Sequence, residues 1–381
     1  MSSTARRAHH KSRGGCTACK SKKIKCDEEQ PCSYCVKKQI SCSLVPPRSP
    51  PSIAAGSGSG SGRGSRTSEI RAVQPFDEPF FSFNDFRLYQ HFVVSTAIAQ
   101  ADDSASIAVW RDVVVDLATR HRYLLHEILA IAALHLRSIV SEQADYLERV
   151  AAEHQAKAIP LFRQALTSIS AETALPLFAC SCLFIPYHFA AAKNASSLLF
   201  NEEAGSLAEW LMLIQGCAAI TVEQRAVLMR SPLRALLGNL YTPQVEELSS
   251  GSSDASLVDM ESKLPVTPEY RGTYAMIVLK LRVSFYLSDK ADSVVDRKNA
   301  ALRFPPLLNQ YFRADLAAKH PAALIVMAYW CVLLHRVEDR WWLRDRVKPL
   351  LVKIQELISA QYRILIEWPL EETGIICLVQ T

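Results

Sequence analysis

The chain is predicted to fold as a small cysteine-rich domain of two short helix-loop repeats, joined by a flexible linker to a large all-α domain. Three observations predict this. Six of the eleven cysteines lie between Cys16 and Cys42, in a window of 27 residues out of 381, where even scattering would place fewer than one. A stretch rich in Pro, Gly and Ser follows, PPRSPPSIAAGSGSGSGRGSRTSE over 46–69. Beyond it, apolar residues recur at spacings of three and four, the period of amphipathic helices.

In chain order, the first element is a basic disordered arm, residues 1–15. Residues 1–66 hold thirteen Lys and Arg against three acids, a formal +10, so the other 315 residues carry −5 of the total of +5. A basic head on a mildly acidic body is the charge distribution of a chain whose head meets a polyanion such as DNA. The start MSSTARRAHHKSRGG has no apolar run of the kind that directs secretion, so a reducing compartment is expected. Clustered thiols there read as metal ligands ahead of disulfides.

The second element, residues 16–45, is the cysteine cluster. Its spacing is Cys16-x2-Cys19-x6-Cys26-x5-Cys32-x2-Cys35-x6-Cys42, so C-x2-C-x6-C occurs twice and predicts two similar half-sites. A C-x2-C pair lets two thiolates from one turn grip one metal, and the third cysteine returns to the same ion after a short helix and a reversal. Six thiolates cannot give two tetrahedral zinc ions four private ligands each, so two sulfurs must be shared. The resulting cluster charge of −2 is offset by nearby lysines. Three disulfides fit the cysteine count alone, and a zinc knob without DNA contact fits the spacing alone. The residues between the ligands weigh against both. Lys20, Lys22, Lys23 and Lys25 place four cations in six positions. On an ordinary helix such a run is a solvated face, but on a rigid metal core this small it is a DNA-binding candidate.

This spacing, together with GCTACKSKKIKCDEEQPCSYC, resembles the fungal binuclear zinc-cluster transcription factors from Gly15 to about Pro47. The resemblance implies a binuclear zinc-cluster domain with two zinc ions, bridged by the first and fourth cysteines, Cys16 and Cys32. It implies that the short helix points its carboxyl end into the major groove of double-stranded DNA, with Lys22 and Lys23 on the bases of a CGG triplet. Lysine donors suit the O6 and N7 acceptors of guanine. Lys20, Lys25, Lys37 and Lys38, with Arg13 and Lys11, would then serve phosphates. A nuclear location, the transcription machinery as partner and an activating role are further implications, and the basic cluster with Arg6 and Arg7 suits nuclear import. One departure stands out: the loop between the third and fourth cysteines is a residue shorter than the family's usual length, and Pro31 abuts Cys32.

Residues 46–75 form the third element, a flexible linker whose composition cannot repay the entropy of ordering. It has no heptad pattern, so no coiled coil follows the cluster directly.

The fourth element, residues 76–381, is the large all-α regulatory domain. Helical periods run over 84–100, 104–118, Tyr123 to Val140, 144–169, 206–220, 269–288, 321–338 and 346–366. The third of these, Tyr123 to Val140, carries Leu124, Leu125, Ile128, Leu129, Ile131, Leu136 and Ile139 on one broad apolar face. Ala174 to Ala192 is uncharged and nearly long enough to cross a membrane, but Pro176, Pro186, Ser181 and His188 favour a buried helix and no membrane span. Glu246 to Pro268, with LSSGSSDAS, reads as a long exposed loop. LAEWLMLIQG at 207–216 and HPAALIVMAYWCVLLHRVEDRWWLRD at 320–345 resemble the regulatory domains of the sterol uptake control branch of the same family. That resemblance implies a helical bundle that can form a homodimer and take a small hydrophobic ligand. Trp330, Trp341, Trp342, Tyr329 and His335 sit at helical spacings that suit core packing first and a pocket lining second. Cys180, Cys182, Cys217, Cys331 and Cys377 lie in apolar settings and read as buried thiols, not redox sensors. No GxxxxGK[ST], HExxH, GxSxG or post-strand GxGxxG motif occurs, so no catalytic residues and no enzyme activity are expected.

Overall fold

In the computed structural model of the chain, the described residues are 14–38, 40, 42–44, 81–238 and 241–375, without the side chains of Gly216 and Cys217. Residues 1–13 of the basic arm, the linker over 46–75 and Cys377 lie outside them. The chain divides into two compact units, Met1–Phe76 and Asp77–Thr381.

Among its described residues the first unit has almost no apolar core. Its interior is the six cysteines, with only Ala18, Tyr34 and Leu44 packed against them. Two short helices, α1 (Thr17–Ser21) and α2 (Ser33–Lys38), each begin directly after a buried cysteine. A unit of this size cannot bury enough apolar surface to be stable alone, and such units rely on metals or disulfides.

The second unit is helical apart from one short strand pair. α3 (Phe83–His91) starts at a Ser82/Asp85 capping box and continues through a π-helical segment (Phe92–Thr96) into α4 (Ala97–Gln100). α5 (Ser104–Ala108), capped by Asp103, likewise runs through a π-helical segment (Val109–Val114) into α6 (Val115–Ala118). α7 (Arg122–Ile139) and α8 (Ala144–Leu166) form the longest helix pair, and α9 (Ala174–Ala191) packs on both. α9 is long and apolar enough to cross a membrane by length and composition, yet 78% of it is buried inside the protein, with Leu177, Phe184 and Phe189 fully enclosed. It is a core helix, as its prolines and His188 led one to expect.

A two-residue antiparallel pair, β1 (Phe200–Asn201) with β2 (Ser206–Leu207), precedes α10 (Trp210–Glu223), so the helix expected from 206 begins four residues later. α11 (Arg225–Arg230) follows. The loop expected over Glu246 to Pro268 is a correction: α12 (Val245–Leu248) and α13 (Asp254–Lys263) occupy it. Leu248, Leu257, Met260 and Leu264 are buried there, and Arg282 grips both carboxylate oxygens of Asp254 at 2.7 and 2.9 Å. The Ser/Gly composition concealed an apolar set at spacings of three and four. Such short helices gain their stability from packing, not from propensity.

α14 (Pro268–Asp289), α15 (Val294–Leu302) and α16 (Gln310–Ala317) lead to α17 (Pro321–His335), in which every residue from Ala322 to Leu334 is buried. α18 (Val347–Leu357), a 3₁₀ segment (Ala360–Ile366) and α19 (Glu367–Glu372) pack on α17. Trp330 lies wholly in the core, its Nε1–H donating to the Ala301 carbonyl at 2.8 Å. Cys180 and Cys331 are buried thiols, and burial pushes Cys331 upward from its ordinary value.

Candidate metal centre and nucleic-acid interface

The spacing repeat of the first unit becomes a structural repeat at an offset of sixteen residues. Lys20 N–H donates to the Cys16 carbonyl at 3.0 Å, and Val36 N–H to the Cys32 carbonyl at 3.1 Å. Ile24 N–H reaches back to the Cys19 carbonyl at 3.1 Å, and Ile40 N–H to the Cys35 carbonyl at 3.0 Å. Cys16 N–H points at Cys26 Sγ (3.4 Å), Cys32 N–H at Cys42 Sγ (3.5 Å). The halves also cap each other across the pseudo-symmetry. Thr17 N–H at the start of α1 donates to Ser43 Oγ, and Ser33 N–H at the start of α2 donates to Asp27 Oδ2, both at 2.9 Å. Asp27 and Ser43 are themselves sixteen residues apart, so the repeat could have revealed this exchange, although a cysteine-centred reading passes over it. The Gln30–Pro31 peptide bond beside Cys32 is cis.

All six cysteines are buried and unpaired as disulfides. Their sulfurs form two groups of four, Cys16/Cys19/Cys26/Cys32 and Cys16/Cys32/Cys35/Cys42, each with its sulfurs within 4.8 Å of one another. The groups have Cys16 and Cys32 in common. The Sγ–Sγ separations are 3.7 Å for Cys16–Cys32, 3.6 Å for Cys16–Cys35 and 3.7 Å for Cys19–Cys32. A disulfide would require about 2.05 Å. A tetrahedron with zinc–sulfur bonds of about 2.3 Å has edges of about 3.8 Å, close to the separations found. The donor set therefore fits zinc, with soft thiolates at tetrahedral spacing and no carboxylate or imidazole among them. The Cys19 backbone N–H, above all, lowers the Cys16 thiol to about 6, whereas burial pushes Cys19 and Cys35 upward. So many sulfurs packed together cannot all ionise without a cation between them.

Lys20, Lys22, Lys23 and Lys25 are all exposed. Lys22 is the C-cap of α1, and Lys23 follows it in the left-handed region at φ 54°. The bonds Lys23 N–H to Lys20 carbonyl (3.2 Å) and Ile24 N–H to Cys19 carbonyl (3.1 Å) close a Schellman turn. That turn holds Lys22 and Lys23 at the carboxyl end of a helix fastened by Cys16 and Cys19. At the offset of sixteen, Val36 stands opposite Lys20, Gln39 opposite Lys23 and Ser41 opposite Lys25. Only one half of the repeat is thus strongly basic. Lys37 and Lys38 are exposed on α2, while Lys11 and Arg13 lie outside the described residues.

The second unit holds a cavity of about 450 Å³ bordered by α9, α10 and α15. Of the five aromatic and histidine residues singled out between 329 and 342, Trp342 alone lines it. Trp330 and Tyr329 are core, the latter stacked on Trp368 with ring centroids 5.2 Å apart.

A thiolate knob with one basic face, on the same chain as a large helical unit, defines a metal-dependent DNA-binding regulator. Residues 14–52 match the fungal Zn(2)-Cys(6) binuclear cluster domain, and residues 87–218 match the fungal specific transcription factor domain. The chain thus carries two successive stretches similar to the zinc-cluster and regulatory domains of fungal Zn(2)-Cys(6) transcription factors, a combination that marks DNA-binding, metal-binding transcription regulation. It is 24% identical to a Zn(2)-C6 fungal-type transcription factor of Gibberella zeae, over 96% of this chain and 86% of the relative. It is 28% identical to the Zn(2)-C6 fungal-type transcription factor afumD of Aspergillus fumigatus, over 56% of this chain and 55% of that one. Sterol uptake control protein 2 of Saccharomyces cerevisiae is 24% identical over 70% of this chain, which spans 29% of the yeast protein.

Proposed function

We propose that the chain is a nuclear regulator of RNA polymerase II transcription that selects CGG-containing promoter sites, serving a metabolic pathway or gene cluster. Two zinc ions are held by Cys16, Cys19, Cys26, Cys32, Cys35 and Cys42, with Cys16 and Cys32 bridging. The observation that carries this reading is that the two four-sulfur groups share those two cysteines, because sharing is what lets six thiolates complete two tetrahedra. Zinc supplies stiffness to a unit that lacks an apolar core. Lys22 and Lys23, held at the end of α1, donate to guanine O6 and N7 in the major groove, while Lys20 and Lys25 neutralise phosphates. The helical unit supplies control, contact with the transcription machinery and the surface for a homodimer. Regulation proceeds by binding, not by catalysis.

The test is fluorescence anisotropy of the purified full chain with a CGG-bearing duplex and a scrambled one at matched salt, alongside zinc analysis. Two zinc ions per chain and a preference for the CGG duplex of at least about 10³, abolished by a chelator, are expected. Equal affinity for both duplexes would overturn the reading. The cavity favours a second reading, a ligand-responsive helical receptor in which DNA contact is secondary. A stoichiometric sterol or other lipid co-purifying with the full chain, without salt-dependent DNA affinity, would establish it instead.

A further inference from the structure

The cavity of the second unit has the size of a small-molecule site, within the range of about 300–1,000 Å³. Its walls include Phe178 and Ile185 of α9, Ile214 of α10, and Leu302 and Leu307 after the turn of α15. Polar atoms on this apolar lining lack partners. Gln100 and Trp110 are 5% and 2% exposed, and among the described residues neither Gln100 Oε1 nor Trp110 Nε1 has a hydrogen-bond partner. Arg303, the half-buried C-cap of α15, also lines the cavity, and its guanidinium makes no hydrogen bond or ion pair among the described residues. Burial pushes its pKa down from the usual guanidinium value. Lys298, another cation on the lining, is already neutralised. Lys298 pairs with Asp102, which also meets Arg340 at 2.7 Å.

Leaving a buried donor or acceptor unsatisfied costs about 1–3 kcal/mol, and more for a charged group. Groups so placed, beside a broad apolar stretch of wall, define the complement that would satisfy them. Arg303 calls for an anion, best a carboxylate that accepts two parallel bonds. One hydroxyl could accept from Trp110 Nε1–H and donate to Gln100 Oε1. The remaining wall calls for a hydrocarbon body. Asp292 and Asp296 also line the cavity, Asp292 just before α15 and Asp296 in its first turn, about 10 Å along the helix from Arg303. Asp296 is engaged there by Ser293 Oγ at 2.7 Å. A neutral apolar molecule would leave the Arg303 charge covered and unpaired, the costliest arrangement.

We propose that this cavity binds a small amphipathic organic acid, its carboxylate on Arg303 and its apolar body against Phe178, Ile185 and Ile214. The proposal deepens the reading of the helical unit as the controlling part and rests on it.

The probe is 8-anilinonaphthalene-1-sulfonate, an apolar body with one anionic group, titrated into the zinc-loaded full chain and displaced by decanoate or by decanol. One saturable site is expected, with decanoate displacing the probe at roughly one tenth the concentration of decanol, the preference one charge pair confers. Arg303→Gln should erase that advantage and leave decanol unchanged, and Ile185→Trp, which fills the cavity, should weaken both. Equal displacement by acid and alcohol in the unsubstituted protein overturns the proposal, whether or not the variants fold. An acid preference that survives Arg303→Gln overturns it too, as does the lack of saturable binding. Anisotropy with the CGG duplex on the same preparation keeps the two readings apart. Intact duplex preference without acid preference sinks only the ligand, and the reverse sinks only the DNA reading.

Discussion

Removing a shared sulfur should do more damage than removing a private one. Cys26 belongs to one four-sulfur group, so Cys26→Ala leaves Cys16, Cys32, Cys35 and Cys42 whole and able to hold one ion. Cys32 belongs to both groups, so Cys32→Ala leaves three sulfurs in each and a complete tetrahedron in neither. A structural zinc contributes about 10–16 kcal/mol to the folding of a small domain at neutral pH. Against that, the apolar interior beyond the cysteines amounts to Ala18, Tyr34 and Leu44, worth a few kcal/mol in all. The metal term decides whether the unit folds. Zinc analysis of the full chain should therefore find about two ions per unsubstituted chain, about one in Cys26→Ala and close to none in Cys32→Ala. Duplex affinity should fall in the same order. The helical unit provides an internal control, because its thermal melt should not move. If Cys32→Ala keeps as much zinc as Cys26→Ala, the sharing of sulfurs between the groups is refuted.

Lys23→Ala should cost about 1–3 kcal/mol on a CGG duplex and little on a scrambled one in anisotropy titrations, whereas an equal loss on both would assign Lys23 to phosphates. Lys20→Ala should weaken binding to both duplexes alike and lower the slope of log affinity against log salt by about 0.9. Asp27→Ala removes the carboxylate that caps α2 and should cost about 1 kcal/mol, read as zinc loss at a lower chelator concentration; no change would show the cap to be idle. Burial holds His126 and His135 at about 4, against an ordinary 6.5. The unfolded chain takes up those protons first as pH falls, so each histidine stabilises the fold above pH 6.5 and loses up to about 3 kcal/mol of that by pH 4. Thermal melts of the helical unit should fall steeply through that window, and a flat profile would contradict the burial of neutral imidazoles.

The metal-binding character of the amino-terminal unit was legible because ligand spacing is a local quantity. Two cysteines on one turn, and a third after a helix and a reversal, are set by chain geometry over ten residues, and doubling that pattern announces a repeat. The long helices over 122–139, 268–289 and 321–335 were legible for a similar reason, since a broad apolar face recurs with the helical period. The helices α12 and α13 were hidden because Ser and Gly dominate their neighbourhood. What orders them is Leu257, Met260 and the Asp254–Arg282 pair, and Arg282 lies 28 residues away. Trp330 and Trp342 are twelve residues apart and both buried, yet only the second borders the cavity. Periodicity does not separate those fates.

From the order of its residues alone, this chain carries a thiolate cluster for metal, a basic face beside it and a long helical body, because spacing, charge and period are properties of neighbours along the chain. Tertiary structure alone gathered Gln100, Trp110 and Arg303 around one cavity. Gln100 and Arg303 are about two hundred residues apart, and only the packing of helices determines which polar atoms face one another and which are left without a partner.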